Sequence, residues 1–139
     1  MSPGDLAGRV AVVTGSSRNI GRAIALELAG AGAAVVVNAR TSAAEAEAVA
    51  DEIRKGGGRA AVSIADVADP GAAAALVAAA VESFGRLDIL VNNAALRREV
   101  DFARLDCREW REIVAVILDG ADLCSHAALP ISSHPAAAR

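Results

Sequence analysis

With 139 residues and 54% apolar side chains, mostly Ala and Val with almost no aromatics, the chain suits one α/β domain of Ala-rich helices over Val-rich strands. A formal charge of −3 gives no electrostatic reason to expect nucleic acid or an anionic membrane as a partner. Two cysteines are no disulfide framework, and two histidines, His126 and His134, without Cys or carboxylate at ligand spacing predict no metal site.

Val10–Val13 is a short apolar run, as expected of a parallel strand buried on both faces. It is preceded by Met1–Gly8, which lacks the apolar core of a signal peptide. It leads into the glycine-punctuated turn Thr14-Gly15-Ser16-Ser17-Arg18-Asn19-Ile20-Gly21, and a helical pattern runs from Arg22 to Ala29. Strand, glycine turn and helix together bring backbone N–H groups and the positive end of a helix dipole to one point, where a pyrophosphate can sit. Gly15, Ser17, Arg18, Asn19, Ile20 and Gly21 are therefore the candidate cradle. The spacing excludes a Walker loop, since Ile20-Gly21-Arg22 stands where Gly-Lys-Ser/Thr is needed. It resembles the Thr-Gly-x-x-x-Gly-x-Gly signature of the short-chain dehydrogenase/reductase family, with Asn19 in place of the middle glycine. Asn is the residue besides Gly that best tolerates a left-handed backbone.

Gly30-Ala31-Gly32 ends the first helix, and Ala34–Val37 is the second strand, with Asn38-Ala39-Arg40 at its tip. In dinucleotide-binding folds an acid about twenty residues after the glycine turn pairs with the ribose of NAD, whereas an arginine accommodates the extra phosphate of NADP. No acid occurs between Leu28 and Ala44, and Arg18 and Arg40 supply two cations, so NADP(H) is the expected cofactor, with Asn38 and Arg40 among its contacts. Thr41 or Ser42 is expected to cap a helix Ser42–Lys55 that ends in Gly56-Gly57-Gly58. Ala60–Ile64 is the third strand. The resemblance implies that Asp66 and Val67 contact the adenine, although Asp66 equally suits ordering the turn into the helix Gly71–Phe84, opened by Pro70.

Leu87–Val91 is the fourth strand, ending in Asn92-Asn93-Ala94-Ala95. This resembles the family's Asn-Asn-Ala-Gly motif, which implies that Asn92 and Ala94 line the nicotinamide ribose. The pattern is similar to that of 3-oxoacyl-carrier-protein reductase-like members. The family's fold is a Rossmann-like, doubly wound parallel sheet. Here it implies strand order 3-2-1-4 over residues 1–130, with a tail at 131–139, helices Arg22–Ala29 and Ser42–Lys55 on one face and Gly71–Phe84 and Asp106–Leu129 on the other.

The helix Asp106–Leu129 opens with a capping box, Asp106 and Glu109, and carries two apolar stripes. One stripe is expected against the sheet, and the other, by resemblance, against the same helix of a second subunit. Asp119, Asp122 and His126 interrupt its apolar run, so no membrane span is expected, and Cys107 and Cys124, with no disulfide framework, lead to the expectation of a reducing, cytoplasmic setting. Ile117 stands where the family carries its catalytic asparagine. Ile131-Ser132-Ser133 is similar to the end of the catalytic-serine strand, but the residues that should precede that strand are missing, and chance likeness is the preferred reading. The chain has no tyrosine, and Lys55 is its single lysine, so the family's Tyr-x-x-x-Lys pair is lacking and no catalytic residue is assigned. The expectation is an NADP(H)-dependent short-chain oxidoreductase by kinship, present as a cofactor-binding half inactive alone. A non-catalytic NADP-binding or interaction partner of intact relatives, or a truncated product without function, are the alternatives. With no fifth strand to cover Leu87–Val91, that edge, guarded only by Asp88, and the helix Asp106–Leu129 are the expected self-association surfaces.

Overall fold

The computed structural model describes residues 1–132. Its centre is a four-stranded parallel sheet of β1 (Val10–Val13), β2 (Ala34–Ala39), β3 (Arg59–Ile64) and β4 (Ile89–Val91), in the order β3-β2-β1-β4. Doubly wound α/β is thus the observed architecture. The unbroken apolar strands have the physical reason expected of them, because β1 is buried on both faces. Val10 and Val12 pack with α3 (Pro70–Phe84) on one side. Ala11 and Val13 pack with α1 (Asn19–Gly30) and α2 (Ala43–Lys55) on the other. Successive side chains of a strand point to opposite faces, so four small apolar residues serve two cores.

Helix starts follow the capping chemistry only in part. Asp69 accepts a hydrogen bond from the Ala72 N–H (2.7 Å), and Pro70 occupies the first turn of α3. Ser42 stands at the cap position of α2, but its side chain makes no capping hydrogen bond, and Thr41 lies before it.

The expected helix Asp106–Leu129 is not one uniform α-helix. Asp106 and Glu109 do form a capping box at the start of α4 (Cys107–Val114). A π-turn at Ala115–Asp119 follows, and then α5 (Gly120–Ala128). The extra residue of a π-turn shifts the helical phase, so the two stripes read from a constant period do not both hold. Val116, Leu123, Cys124 and Ala128 reach the core, whereas Ile117 and Leu118 are exposed and Trp110 is 55% exposed. Gly120 brings α5 hard against the β3–α3 connection, since a Cβ there would lie 2.7 Å from Val67 Cγ2.

One expectation about the β4 edge is corrected. Asp88 is no outward guard, because its side chain is only 4% exposed. It accepts hydrogen bonds from Arg9 Nη1 (3.0 Å), Arg86 Nη2 (2.6 Å), Arg86 Nε (2.8 Å) and the Val10 N–H (2.9 Å). Burial pushes the Asp88 carboxyl up, but the donors from Arg86, Val10 and Arg9 outweigh it and hold its pKa at about 2. The edge itself has no partner strand beyond Ile89–Val91 among the described residues. Ser132 forms a single parallel bridge to Leu87, ahead of β4, and Ile131 packs against the core. Ser133, His134 and the rest of the 133–139 tail lie outside the described residues.

Candidate cofactor cleft

In the order β3-β2-β1-β4 the chain winds away from β1 in both directions, which opens a crevice beyond the carboxyl end of β1. A cleft of about 360 Å³ lies there. The Thr14–Gly21 turn forms its floor, Arg40, Thr41 and Ser42 one wall, and Asn93, Ala94, Ala95 and Arg97 the other.

The floor is built by backbone geometry and by side chains that brace the turn. Asn19 has φ +50°, the one left-handed non-glycine residue among those described, so Asn does take the conformation left by the missing glycine. Gly21 meets the turn it closes. A Cβ there would collide with the Gly15 carbonyl oxygen and lie 2.5 Å from Asn93 Nδ2. No acid occupies the first turn of α1, and Arg18 at its cap position offers no side-chain cap, so its leading N–H groups face the cleft's floor without a competing carboxylate.

Eight of the twelve residues expected from sequence line the cleft: Gly15, Ser17, Arg18, Asn19, Ile20, Gly21, Arg40 and Ala94. Four are not among its lining residues, and each makes contacts elsewhere. Asn38 is 2% exposed. Its Oδ1 accepts from the Gly15 N–H (2.9 Å), and its Nδ2 donates to the carbonyls of Ser63 and Ala65 (3.1 Å each). It holds the turn in place and has nothing left for a ligand. Asp66 Oδ1 accepts from the Ala68 N–H (3.0 Å), which orders the turn into α3. Val67 is buried beneath α5. Asn92 turns away, and its Nδ2 donates to Ser125 Oγ (3.1 Å).

Sequence reasoning missed three builders of the site. Thr14 Oγ1 accepts from the N–H groups of Asn93 (3.0 Å) and Ala94 (2.9 Å). Asn93 Nδ2 donates to the carbonyls of Thr14 (3.0 Å) and Gly15 (3.1 Å). Ser16 Oγ donates to the Val13 carbonyl (2.7 Å) and accepts from the Asn38 N–H (2.9 Å). The signal was present in the Thr-Gly and Asn-Asn pairs, but only the fold shows that the two motifs bind each other.

The cleft's electrostatics suit an anion. Arg18, Arg40 and Arg97 line it and no acidic residue does. A dinucleotide's phosphates fit this lining: glycine-tight floor, helix N-terminus and three arginines. A second cavity of about 340 Å³ lies at the opposite end of the sheet, beside Gly32, Gly57 and Arg59. There α1 and α2 end in carbonyls, the wrong pole for phosphate. Among the described residues no group of three or more His, Cys, Asp or Glu comes together to hold a metal, and no helix is long and apolar enough to cross a membrane.

The family model described as short chain dehydrogenase matches residues 9–137. The chain belongs to the short-chain dehydrogenase family. It is 40% identical over 122 residues to a 3-oxoacyl-[acyl-carrier-protein] reductase of Synechocystis, covering 88% of this chain and 49% of that protein. A reductase of the same name from Staphylococcus aureus is 42% identical over 120 residues, covering 86% of this chain and 49% of the relative. Among solved structures, a short chain dehydrogenase from Burkholderia cenocepacia in complex with NADP is 40% identical, with a TM-score of 0.88, covering 92% of this chain and 52% of that one. A dehydrogenase/reductase from Sinorhizobium meliloti is 38% identical, with a TM-score of 0.89, covering 92% of this chain and 51% of that one. The chain thus spans about half the length of the short-chain dehydrogenases it matches.

Proposed function

We propose that this chain is the NADP(H)-binding half of a short-chain oxidoreductase, the whole of which moves hydride between the nicotinamide and a carbonyl or alcohol carbon. The observation that carries the reading is the cleft at the end of β1, with three arginines and no acid around a glycine-tight turn. The N–H groups at the start of α1 would hold the pyrophosphate, Arg18 and Arg40 the 2′-phosphate, and Ala94 the nicotinamide ribose. The NADP bound by the Burkholderia neighbour supports the choice of cofactor. The two free cysteines, Cys107 exposed and Cys124 buried, suit a reducing, cytoplasmic setting.

The cofactor supplies the hydride; the protein must supply a proton to the carbonyl oxygen. These 139 residues offer no tyrosine, and Lys55 lies at the far end of α2, away from the cleft. Ile117 occupies the asparagine position on the π-turn and can exchange no proton. General acid–base help of roughly a hundred- to ten-thousand-fold is absent from this half. The 139-residue polypeptide is therefore expected to hold NADPH without turning it over. NADPH oxidation measured with a panel of ketones and 3-oxoacyl thioesters tests this. No rate above background is expected, and steady oxidation abolished by Gly21→Val would contradict it.

A second reading, a non-catalytic partner of longer relatives, draws on the exposed Trp110, Ile117 and Leu118 along α4 and the π-turn. Apolar side chains in one neighbourhood of the surface suit contact with another protein chain.

A further inference from the structure

Arg97 and Arg98 are adjacent, yet their surroundings give them different tasks. Arg98 anchors the segment after β4 to α4, with Nη2 donating to Glu112 Oε2 (2.6 Å) and Nη1 lying 3.8 Å from Glu109 Oε1. Arg97 lines the cofactor cleft on the wall formed by Ala94 and Ala95. Its one ionic contact, to Glu99 Oε1 at 3.3 Å, is long and open to solvent, with both side chains more than 85% exposed. Exposed pairs of this kind contribute little and are readily exchanged for a better anion.

The charge balance of the cleft leaves a place for such a cation. NADP(H) carries a 2′-phosphate and a pyrophosphate, and Arg18 and Arg40 belong to the turn and to the tip of β2, the adenosine side of the switch point. On the opposite wall, formed by Asn93, Ala94 and Ala95, Arg97 is the charged residue that lines the cleft. The Thr14–Gly21 turn carries Asn19 in place of a glycine, which adds a side chain to the floor where the phosphates would lie closest.

Resting on the NADP(H) reading above, we infer that Arg97 is a positioning residue that closes on the pyrophosphate from the β4 wall, opposite the turn. The pyrophosphate is common to both nicotinamide cofactors, so Arg97 raises affinity for each equally, whereas Arg40 acts on NADPH alone. Glu99 competes with the pyrophosphate for Arg97 and weakens binding.

Calorimetric or fluorescence titration of the 139-residue chain with NADPH and with NADH tests this. Arg97→Gln is expected to weaken both cofactors about fivefold, Arg97→Lys to recover most of the loss, and Glu99→Gln to tighten both about twofold. Arg97 and Glu99 are exposed, so these variants report on binding by a folded chain. Cofactor binding by the unmutated chain that is unchanged in Arg97→Gln would overturn the role of Arg97 and leave the NADP(H) reading standing. A loss confined to NADPH would place Arg97 on the 2′-phosphate and overturn the pyrophosphate assignment. No binding by the unmutated chain would overturn both.

Discussion

The carboxamide of Asn38 accepts a hydrogen bond from the Gly15 N–H at 2.9 Å, and this contact ties the tip of β2 to the turn that follows β1. The same side chain donates to the Ser63 and Ala65 carbonyls, so one buried residue gathers three strand ends. Asn38→Ala would leave the partly buried Gly15 N–H without its side-chain acceptor and take one donor from each of these carbonyls. Buried unsatisfied groups cost roughly 1–3 kcal/mol each, and partial relaxation brings the expected loss to about 2–4 kcal/mol. Asn38→Asp should be worse, because it aims a carboxylate at carbonyl oxygens in a buried site. Urea unfolding measures the stability. A variant as stable as the parent would mean that the turn does not depend on Asn38.

Asp88 makes the fold sensitive to acid. Its pKa falls from 3.8 to about 2 on folding. A depressed folded pKa contributes stability that is present above the unfolded value and is lost as pH falls through the folded one. The contribution is about 2 kcal/mol above roughly pH 5, and it declines between there and pH 2. Asp88→Asn should be less stable near neutrality, because Arg9 and Arg86 lose their anion. It should also lack this part of the acid-induced loss. Chemical unfolding at a series of pH values compares the two slopes. Parallel curves for parent and variant would show that Asp88 is not the group responsible.

Self-association is expected through the exposed apolar side of α4 and the π-turn. Trp110 and Leu118 are both more than half exposed there, and Ile117 lies between them. Sedimentation of the parent at micromolar concentration should show species larger than the monomer. Leu118→Asp combined with Trp110→Ser should shift the distribution towards the monomer, because a charge in a buried contact must be desolvated. A monomeric parent would remove this surface as an interface. A double variant that still associates would point to the β4 edge beyond Leu87.

Much of the fold was legible because its signals are local. The apolar strands, their glycine endings and the Pro70 helix start appear in short windows; the strand order came from the family resemblance, and right-handed crossovers then assign each helix to its face. Asn19 was also legible, since its left-handed backbone follows from residue type and position in the turn. What escaped depends on residues far apart in the chain. Asp88 lies 79 residues from Arg9. Read alone it is an edge charge, whereas in the fold it is a buried clamp across the starts of β1 and β4. Asn92 and Asn93 are equivalent in sequence, and only the approach of α5 and of the Thr14 turn decides that Asn92 meets Ser125 while Asn93 holds the site. The π-turn left no mark in the hydrophobic period, which assumes one constant phase. Cofactor preference was read from a tip whose three residues divide in the fold. Asn38 is structural, Ala39 is only 4% exposed, and Arg40 faces the cleft.

The central claim is that this chain carries a working NADP(H) site, and direct titration with the two cofactors tests it most plainly. Arg18 and Arg40 should give NADPH at least a tenfold advantage over NADH, since one charge-assisted contact to the 2′-phosphate is worth about 1.5 kcal/mol. Arg40→Gln should remove most of that advantage without altering NADH affinity, and Gly21→Val should abolish binding of both by filling the floor of the cleft. Saturable binding with this order of affinities is the result predicted. Equal affinities for NADPH and NADH, or no saturable binding of either, would contradict the account.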